Sequence, residues 1–104
     1  STGQLNMTTR FVNIKHKGLR GLIERNDARG LDSRYARKIR NMIALLRTFS
    51  SEDEVTAFKR WKGHQLKGRR EGTWSLWVSG NWRLTFDVDS NGTIRNLDLE
   101  DYHD

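Results

Sequence analysis

Two segments in the first half of the chain carry apolar residues at helical spacing. The first stripe, which ends before Gly30, comprises Leu19, Leu22 and Ile23. The second stripe is longer and comprises Tyr35, Ile39, Met42, Ile43, Leu46 and Phe49. Apolar residues that recur every three to four positions indicate a helix with one buried face. We therefore predict two helices, the second with Asp32 as its N-cap and with its end before Ser50.

The second half of the chain alternates apolar and polar residues, as strands do. The alternating apolar positions are Trp74, Leu76 and Val78 in one run and Trp82, Leu84, Phe86 and Val88 in the next. Gly80-Asn81 between these runs predicts a two-residue hairpin turn, and Asn91-Gly92 predicts a second turn before a strand over 93–99. In that last strand Ile94 is out of phase with the leucines that follow, which indicates a bulge or a sheet covered on both faces.

Two shorter segments complete the predicted order of elements. Arg10–Ile14 contains a short apolar pair and predicts an opening strand, while Ser51 and Glu54 have capping-box spacing and predict a short helix over 52–58. The order is then strand, helix, helix, short helix and several antiparallel strands. We therefore predict an α+β domain in which two to three helices pack on one face of a small twisted antiparallel sheet.

The length of 104 residues allows one domain and excludes a large multi-domain enzyme. Residues 1–6 are small, polar and uncharged, and we interpret them as a disordered leader or an expression remnant before a single domain over 7–104. No apolar stretch approaches the ~20 residues of a membrane span, so we expect a cytoplasmic protein without a membrane partner. The chain has no Cys, which excludes disulfides, thiolate metal sites and cysteine nucleophiles.

The charge is divided unevenly along the chain. Residues 1–86 carry a net charge of +11, whereas residues 87–104 carry −5. This division indicates a body that binds polyanions, although a charge of this size also serves solubility alone. The second predicted helix has a basic face made of Arg34, Arg37, Lys38, Arg40 and Arg47. That face is either a solvated surface or a contact for RNA or an acidic partner.

The histidines are the candidates for acid–base chemistry. His64 lies in the segment Lys62–Arg70, which has two glycines and four cations and can hold phosphates by charge and backbone N–H groups. The four cations of this segment are Lys62, Lys67, Arg69 and Arg70. His103 lies in the acidic terminus Glu100–Asp104, and His16 is expected on the surface. From these residues alone, His64 is either catalytic or an ordinary surface residue, and no metal site is predicted.

Several short motifs lie along the chain. They are His64-Gln65-Leu66-Lys67-Gly68, Arg70-Glu71-Gly72, Trp74-Ser75, the strand Asn81–Phe86, the closing Asp101-Tyr102-His103 and the opening Lys15–Leu19. With these motifs the chain resembles the HigB toxins of the RelE/ParE superfamily. The resemblance implies a RelE-like fold and a toxin of a type II toxin–antitoxin pair that cuts mRNA on the translating ribosome without a cofactor. It also implies ribosomal RNA and a HigA-like helix-turn-helix antitoxin as partners. Gln65 departs from the pattern, because the family often has proline there.

The resemblance also implies roles for individual residues. His64, Asp101 and His103 would form the catalytic group with Tyr102 beside them. The positions expected to meet RNA phosphate are Lys67, Arg70 and Arg83, to which Lys62 and Arg69 add charge. His64 would act as general base on the RNA 2′-hydroxyl and His103 as acid at the 5′-oxygen, with Asp101 orienting a histidine and Tyr102 stacking on a base.

Two alternatives to this reading stay open. Lys67, Arg70 and Arg83 are also suited to surface ion pairs, Arg83 with Asp87 in particular. The second alternative concerns the whole protein, which would then be a non-catalytic binding protein of the same fold, of the gyrase-poisoning or co-repressor type. Trp77 is out of phase with the other strand tryptophans, and we expect it to cover a second apolar surface or to contact the antitoxin.

Overall fold

A computed structural model describes residues 11–48, 61–90 and 92–101. In chain order the elements are β1 (Phe11–Val12), α1 (Lys17–Arg25), α2 (Ser33–Leu46), β2 (His64–Gln65), a 3₁₀ turn (Gly68–Arg70), β3 (Trp74–Ser79), β4 (Trp82–Val88) and β5 (Ile94–Asp101). The predicted α+β class is confirmed. The predicted leader, the helix predicted over 52–58, and Tyr102 and His103 lie outside the described residues.

The strands form one five-stranded sheet in the order β1-β5-β4-β3-β2. Strands β2 to β5 pair antiparallel, as predicted, whereas β1 pairs parallel to β5. A parallel pair needs a long connection, and β1 precedes β5 by most of the chain. The sheet is therefore mixed, with one parallel pair at its edge.

Both predicted helices are present, and each begins at a side-chain cap. The Asp32 carboxylate accepts a hydrogen bond from the backbone N–H of Arg34 at 2.9 Å, which confirms the predicted N-cap of α2. His16 does the same for α1, since its Nδ1 accepts from the N–H of Leu19 at 3.2 Å. The sequence predicts His16 on the surface at the entrance to this helix. It does lie at the entrance, but it is half-buried, because its ring turns back to cap the first turn of α1.

The two faces of the sheet differ in polarity. Trp74 lies opposite Phe86, and Leu76 lies opposite Leu84, on the face that packs against the helices. Ile39, Met42 and Leu46 of α2 belong to the same buried core. The other face carries the polar residues of the same strands, because successive side chains of a strand point to opposite faces. On that polar face the central cross-strand neighbours are His64, Ser75, Thr85 and Asp98.

The irregularity predicted in the last strand is a β-bulge. Thr85 pairs with Asp98 while Asp87 pairs with Arg95, so β5 contains one residue more than β4 over this stretch. Asn96 within the bulge has a φ of 57°, in the left-handed region that asparagine tolerates. The bulge restores the phase, and residues Ile94 and Leu97 are consequently both fully buried.

Candidate functional site

His64 lies on β2, at the edge of the sheet, and its side chain is exposed. It pairs with Ser75 of β3, which places its side chain on the polar face. The sequence did not predict this strand, because a strand of two residues is too short to show a period of two. The sheet therefore fixes the backbone of His64 more firmly than a loop would.

The ring of His64 is held in one tautomer by a backbone carbonyl. Its Nδ1 lies 2.7 Å from the carbonyl oxygen of Lys62. A carbonyl oxygen only accepts hydrogen bonds, so Nδ1 carries the proton in this contact. In the neutral ring, Nε2 then holds the lone pair. The neutral form of His64 thus presents Nε2 as the nitrogen that is suited to act as a general base.

The predicted cations flank His64 along the chain but differ in their contacts. Lys62, Lys67 and Arg69 are exposed, and none of them forms an ion pair with another described residue. Arg69 and Arg70 lie on the 3₁₀ turn that follows β2. This segment therefore surrounds His64 in sequence with positive charge that no described carboxylate neutralises, apart from the charge of Arg70.

Arg70 forms a two-fold ion pair with Glu100 of β5. Its Nη1 and Nη2 atoms donate to Glu100 Oε1 and Oε2 at 2.8 and 2.6 Å. The Thr85 hydroxyl also donates to Glu100 Oε2. The Arg70 guanidinium holds the pKa of the Glu100 carboxyl below its ordinary value of 4.5, with Thr85 assisting. For Arg70 the structure thus favours the ion-pair alternative, and Glu100 is a residue that sequence reasoning did not single out.

Arg83 forms no ion pair with Asp87 or with another described carboxylate. Its Nη1 donates to the carbonyl oxygens of Gly80 and Trp82, at 2.9 and 3.2 Å. Asp87 instead accepts hydrogen bonds from Thr73 and Asn96. The proposed Arg83–Asp87 pair is therefore wrong, and the Arg83 side chain lies at the β3–β4 turn on the polar face.

Asp101 lies apart from His64. It pairs with Trp82, whose side chain is on the helix face, whereas His64 is on the polar face. Strands β3 and β4 separate β2 from β5, and three strand spacings correspond to about 14 Å. The sheet therefore does not bring the Asp101 carboxylate to the His64 ring. Tyr102 and His103 follow Asp101 outside the described residues, so the predicted catalytic group stays a prediction.

Within the described ranges, no three His, Asp or Glu side chains are grouped in a way that would hold a metal ion. No helix in this part of the chain is long and apolar enough to cross a membrane. The candidate site is thus an exposed imidazole on a polar sheet face, in a segment where Lys62, Lys67 and Arg69 form no ion pair with a described carboxylate. Such an arrangement can bind a phosphate group and remove a proton from a hydroxyl.

Comparison with known proteins identifies the family of the chain and is consistent with the fold. Residues 12–103 match the profile of the HigB-like toxins, described as RelE-like toxins of the type II toxin–antitoxin system HigB. The chain is also 38% identical over 90 residues to a protein named Endoribonuclease HigB from Proteus vulgaris, a match that covers 86% of this chain and 96% of the relative. The chain therefore belongs to the HigB-like, RelE-like family of toxins of type II toxin–antitoxin systems.

Proposed function

We propose that this toxin is a ribosome-dependent mRNA endonuclease. Its reaction is the metal-independent attack of an RNA 2′-hydroxyl on the adjacent phosphate. The observation that carries the proposal is the hydrogen bond of His64 Nδ1 to the Lys62 carbonyl, which in the neutral ring leaves the Nε2 lone pair free on an exposed sheet edge, in a segment whose cations Lys62, Lys67 and Arg69 pair with no described carboxylate. The name of the Proteus vulgaris relative, an endoribonuclease, supports the same activity.

In the proposed reaction, His64 Nε2 accepts the proton of the 2′-hydroxyl as the O2′–P bond forms. The P–O5′ bond breaks, and the 5′-oxygen receives a proton from His103 as general acid. Lys67, Arg83 and the neighbouring cations stabilise the extra negative charge on the phosphorane. The products are a 2′,3′-cyclic phosphate and a 5′-hydroxyl, and the atoms balance without a further reactant.

The other predicted residues receive roles that fit their positions. Asp101 is remote from His64 but close in sequence to His103, so we assign it to the orientation of the acid. Tyr102 stacks on an unpaired base. Arg70 holds Glu100 in place instead of contacting phosphate directly, since both of its terminal nitrogens donate to that carboxylate.

The proposed partners are the translating ribosome and an antitoxin. The net charge of +11 over residues 1–86 allows docking on ribosomal RNA by neutralisation of phosphates. A HigA-like antitoxin with a helix-turn-helix domain would neutralise the toxin. Because both proposed partners belong to the cytoplasm, we expect the protein to act there.

The test is 5′-end mapping of a defined message that is programmed on ribosomes in one tube and naked in the other. We expect cuts confined to the codon in the decoding site, and only in the first tube. Cuts in both tubes would identify a free ribonuclease and refute ribosome dependence. An absence of cuts in both tubes would favour the non-catalytic, gyrase-poisoning or co-repressor alternative.

Two variants separate the chemistry from folding and binding. We expect His64→Ala to lower the cleavage rate on the order of 10²-fold or more, because the general base is lost. Gln65→Ala is the matched control, since Gln65 is the exposed neighbour on β2 whose side chain lies on the opposite face. Equal rates for the two variants would refute the role of His64.

A further inference from the structure

Trp77 of β3 carries an indole ring with lysine side chains over it. We propose that Trp77, Lys38, Lys62 and Arg83 form a subsite that holds the sugar–phosphate backbone of the message strand next to the scissile phosphate. This inference rests on the proposed endonuclease function and adds Lys38 and Trp77 to its RNA-binding residues. We refer to these four residues as the Trp77 subsite.

Two ammonium groups lie over one indole ring, and a guanidinium shares the hydrogen-bond acceptor of that ring. The Lys38 and Lys62 ammonium nitrogens lie 4.5 and 5.0 Å from the centroid of Trp77. The indole N–H and the Arg83 Nη1 both donate to the carbonyl oxygen of Gly80, at 3.0 and 2.9 Å. The ring face attracts ammonium groups and the shared carbonyl fixes the ring edge, so the cluster is held from two directions.

The positive charge of the Trp77 subsite is not neutralised by any described carboxylate. No ion pair between described residues includes Lys38, Lys62 or Arg83. Lys38 donates one N–H to the carbonyl oxygen of Val78, at 2.5 Å. An ammonium group has three N–H groups, so two remain for a ligand. Like charges gathered around one ring repel each other, and an anion bound between them relieves that repulsion. A phosphodiester backbone supplies such an anion at every nucleotide.

The register of the sheet places the Trp77 subsite next to His64. Ser75 pairs with His64, and Trp77 follows Ser75 on the same face of β3. Diagonal neighbours of this kind are about 7–8 Å apart. Lys62 joins the two directly, because its carbonyl fixes the His64 ring while its ammonium lies over Trp77. An RNA strand that occupies the subsite is therefore the strand presented to His64, which is the message rather than ribosomal RNA.

The test measures binding of a single-stranded oligodeoxyribonucleotide of about ten nucleotides as a function of salt concentration. This probe carries phosphates but lacks 2′-hydroxyls, so it binds without being cleaved. We expect Lys38→Ala to weaken binding about three- to ten-fold at low salt and to reduce the slope of log K against log salt by about 0.7. Trp77→Leu should weaken binding similarly, because the ring no longer gathers the lysines.

Matched variants control for charge and folding. Lys17→Ala removes the same charge from an exposed lysine at the start of α1, and we expect it to change binding less than two-fold. Lys38→Arg should retain binding because it keeps the cation, and Lys38→Met should lose it while keeping the aliphatic stem that packs on the protein. Thermal unfolding of each variant shows whether it is folded.

Three outcomes would overturn the subsite. They are an equal effect of Lys38→Ala and Lys17→Ala, no measurable binding of the probe by the wild-type protein at low salt, and a loss confined to binding of empty ribosomes. The last outcome would assign Lys38 to ribosomal RNA. If the probe binds through Lys38 but no message is cut, the endonuclease proposal fails, and the four residues remain a site for single-stranded nucleic acid that lies beside no scissile phosphate. A fourth outcome, normal cutting of messages by Lys38→Ala, would overturn the subsite while the endonuclease proposal stands.

Discussion

The ion pair between Arg70 and Glu100 gives a prediction that decides between two roles for Arg70. The resemblance to HigB toxins implies a phosphate contact, whereas the structure gives both terminal nitrogens of this guanidinium to one carboxylate. Glu100→Gln removes the charge of the partner while keeping its shape. If the pair stabilises the fold, this variant loses stability, and the loss depends on pH.

The magnitude follows from the geometry and the exposure of the pair. The contact is bidentate, which favours a strong pair, but the two side chains are 40% and 24% exposed, so solvent screens it. We expect the free energy of unfolding at pH 7 to fall by about 1 kcal/mol. In a domain of this size, such a loss lowers the melting temperature by roughly 4–8 °C.

The direction of the pKa shift of Glu100 sets how the stability of the protein changes with pH. The folded-state pKa of Glu100 is lowered, so its ionised carboxylate adds stability above the ordinary pKa of 4.5. That contribution is lost as the pH falls through the lowered folded-state pKa. The wild-type and Glu100→Gln proteins should therefore differ at pH 7 and converge in acid.

Thermal or urea unfolding from pH 7 to pH 3 is the assay. Glu24→Gln is the control, since Glu24 is exposed on α1 and has no ion pair with a described residue. The reasoning is refuted if Glu100→Gln has wild-type stability at pH 7, or if its deficit persists unchanged in acid. A deficit equal to that of Glu24→Gln would likewise assign the effect to net charge and not to Arg70.

Three further predictions concern stability, each measured by chemical denaturation. A Cβ at Gly18 would lie 2.3 Å from the carbonyl oxygen of Gly30, so Gly18→Ala should destabilise the fold by about 1–3 kcal/mol, and a neutral result would contradict this packing. His16→Ala should cost about 1 kcal/mol through loss of the α1 cap, whereas His16→Asn should restore most of it. Lys62 has a φ of 52°, in the left-handed region. Lys62→Val should therefore lower the free energy of unfolding by about 1–3 kcal/mol, and Lys62→Gly by much less. Equal losses of stability for the two variants would show that the left-handed backbone of Lys62 does not limit the choice of residue.

The elements of the fold were readable from the sequence because their signals are local. The cap at Asp32, the hairpin at Gly80-Asn81 and the alternation of β3 and β4 each lie within a few residues of the structure they specify. The bulge of β5 was one of two alternatives that the sequence left open, since Ile94 and Leu97 lie on opposite faces of a regular strand. The motif around His64 likewise identified the family without knowledge of the backbone.

The contacts that define the candidate site required the tertiary structure, because they join residues that are far apart in the chain. Lys38 reaches Trp77 and Arg70 reaches Glu100 only once the helix, the 3₁₀ turn and the sheet are assembled. The placement of Asp101 away from His64 depends on strand order, which no local pattern encodes. Composition and periodicity therefore determined the elements and the available chemistry, while strand order and register decided which charged groups meet and which of them stay available for RNA.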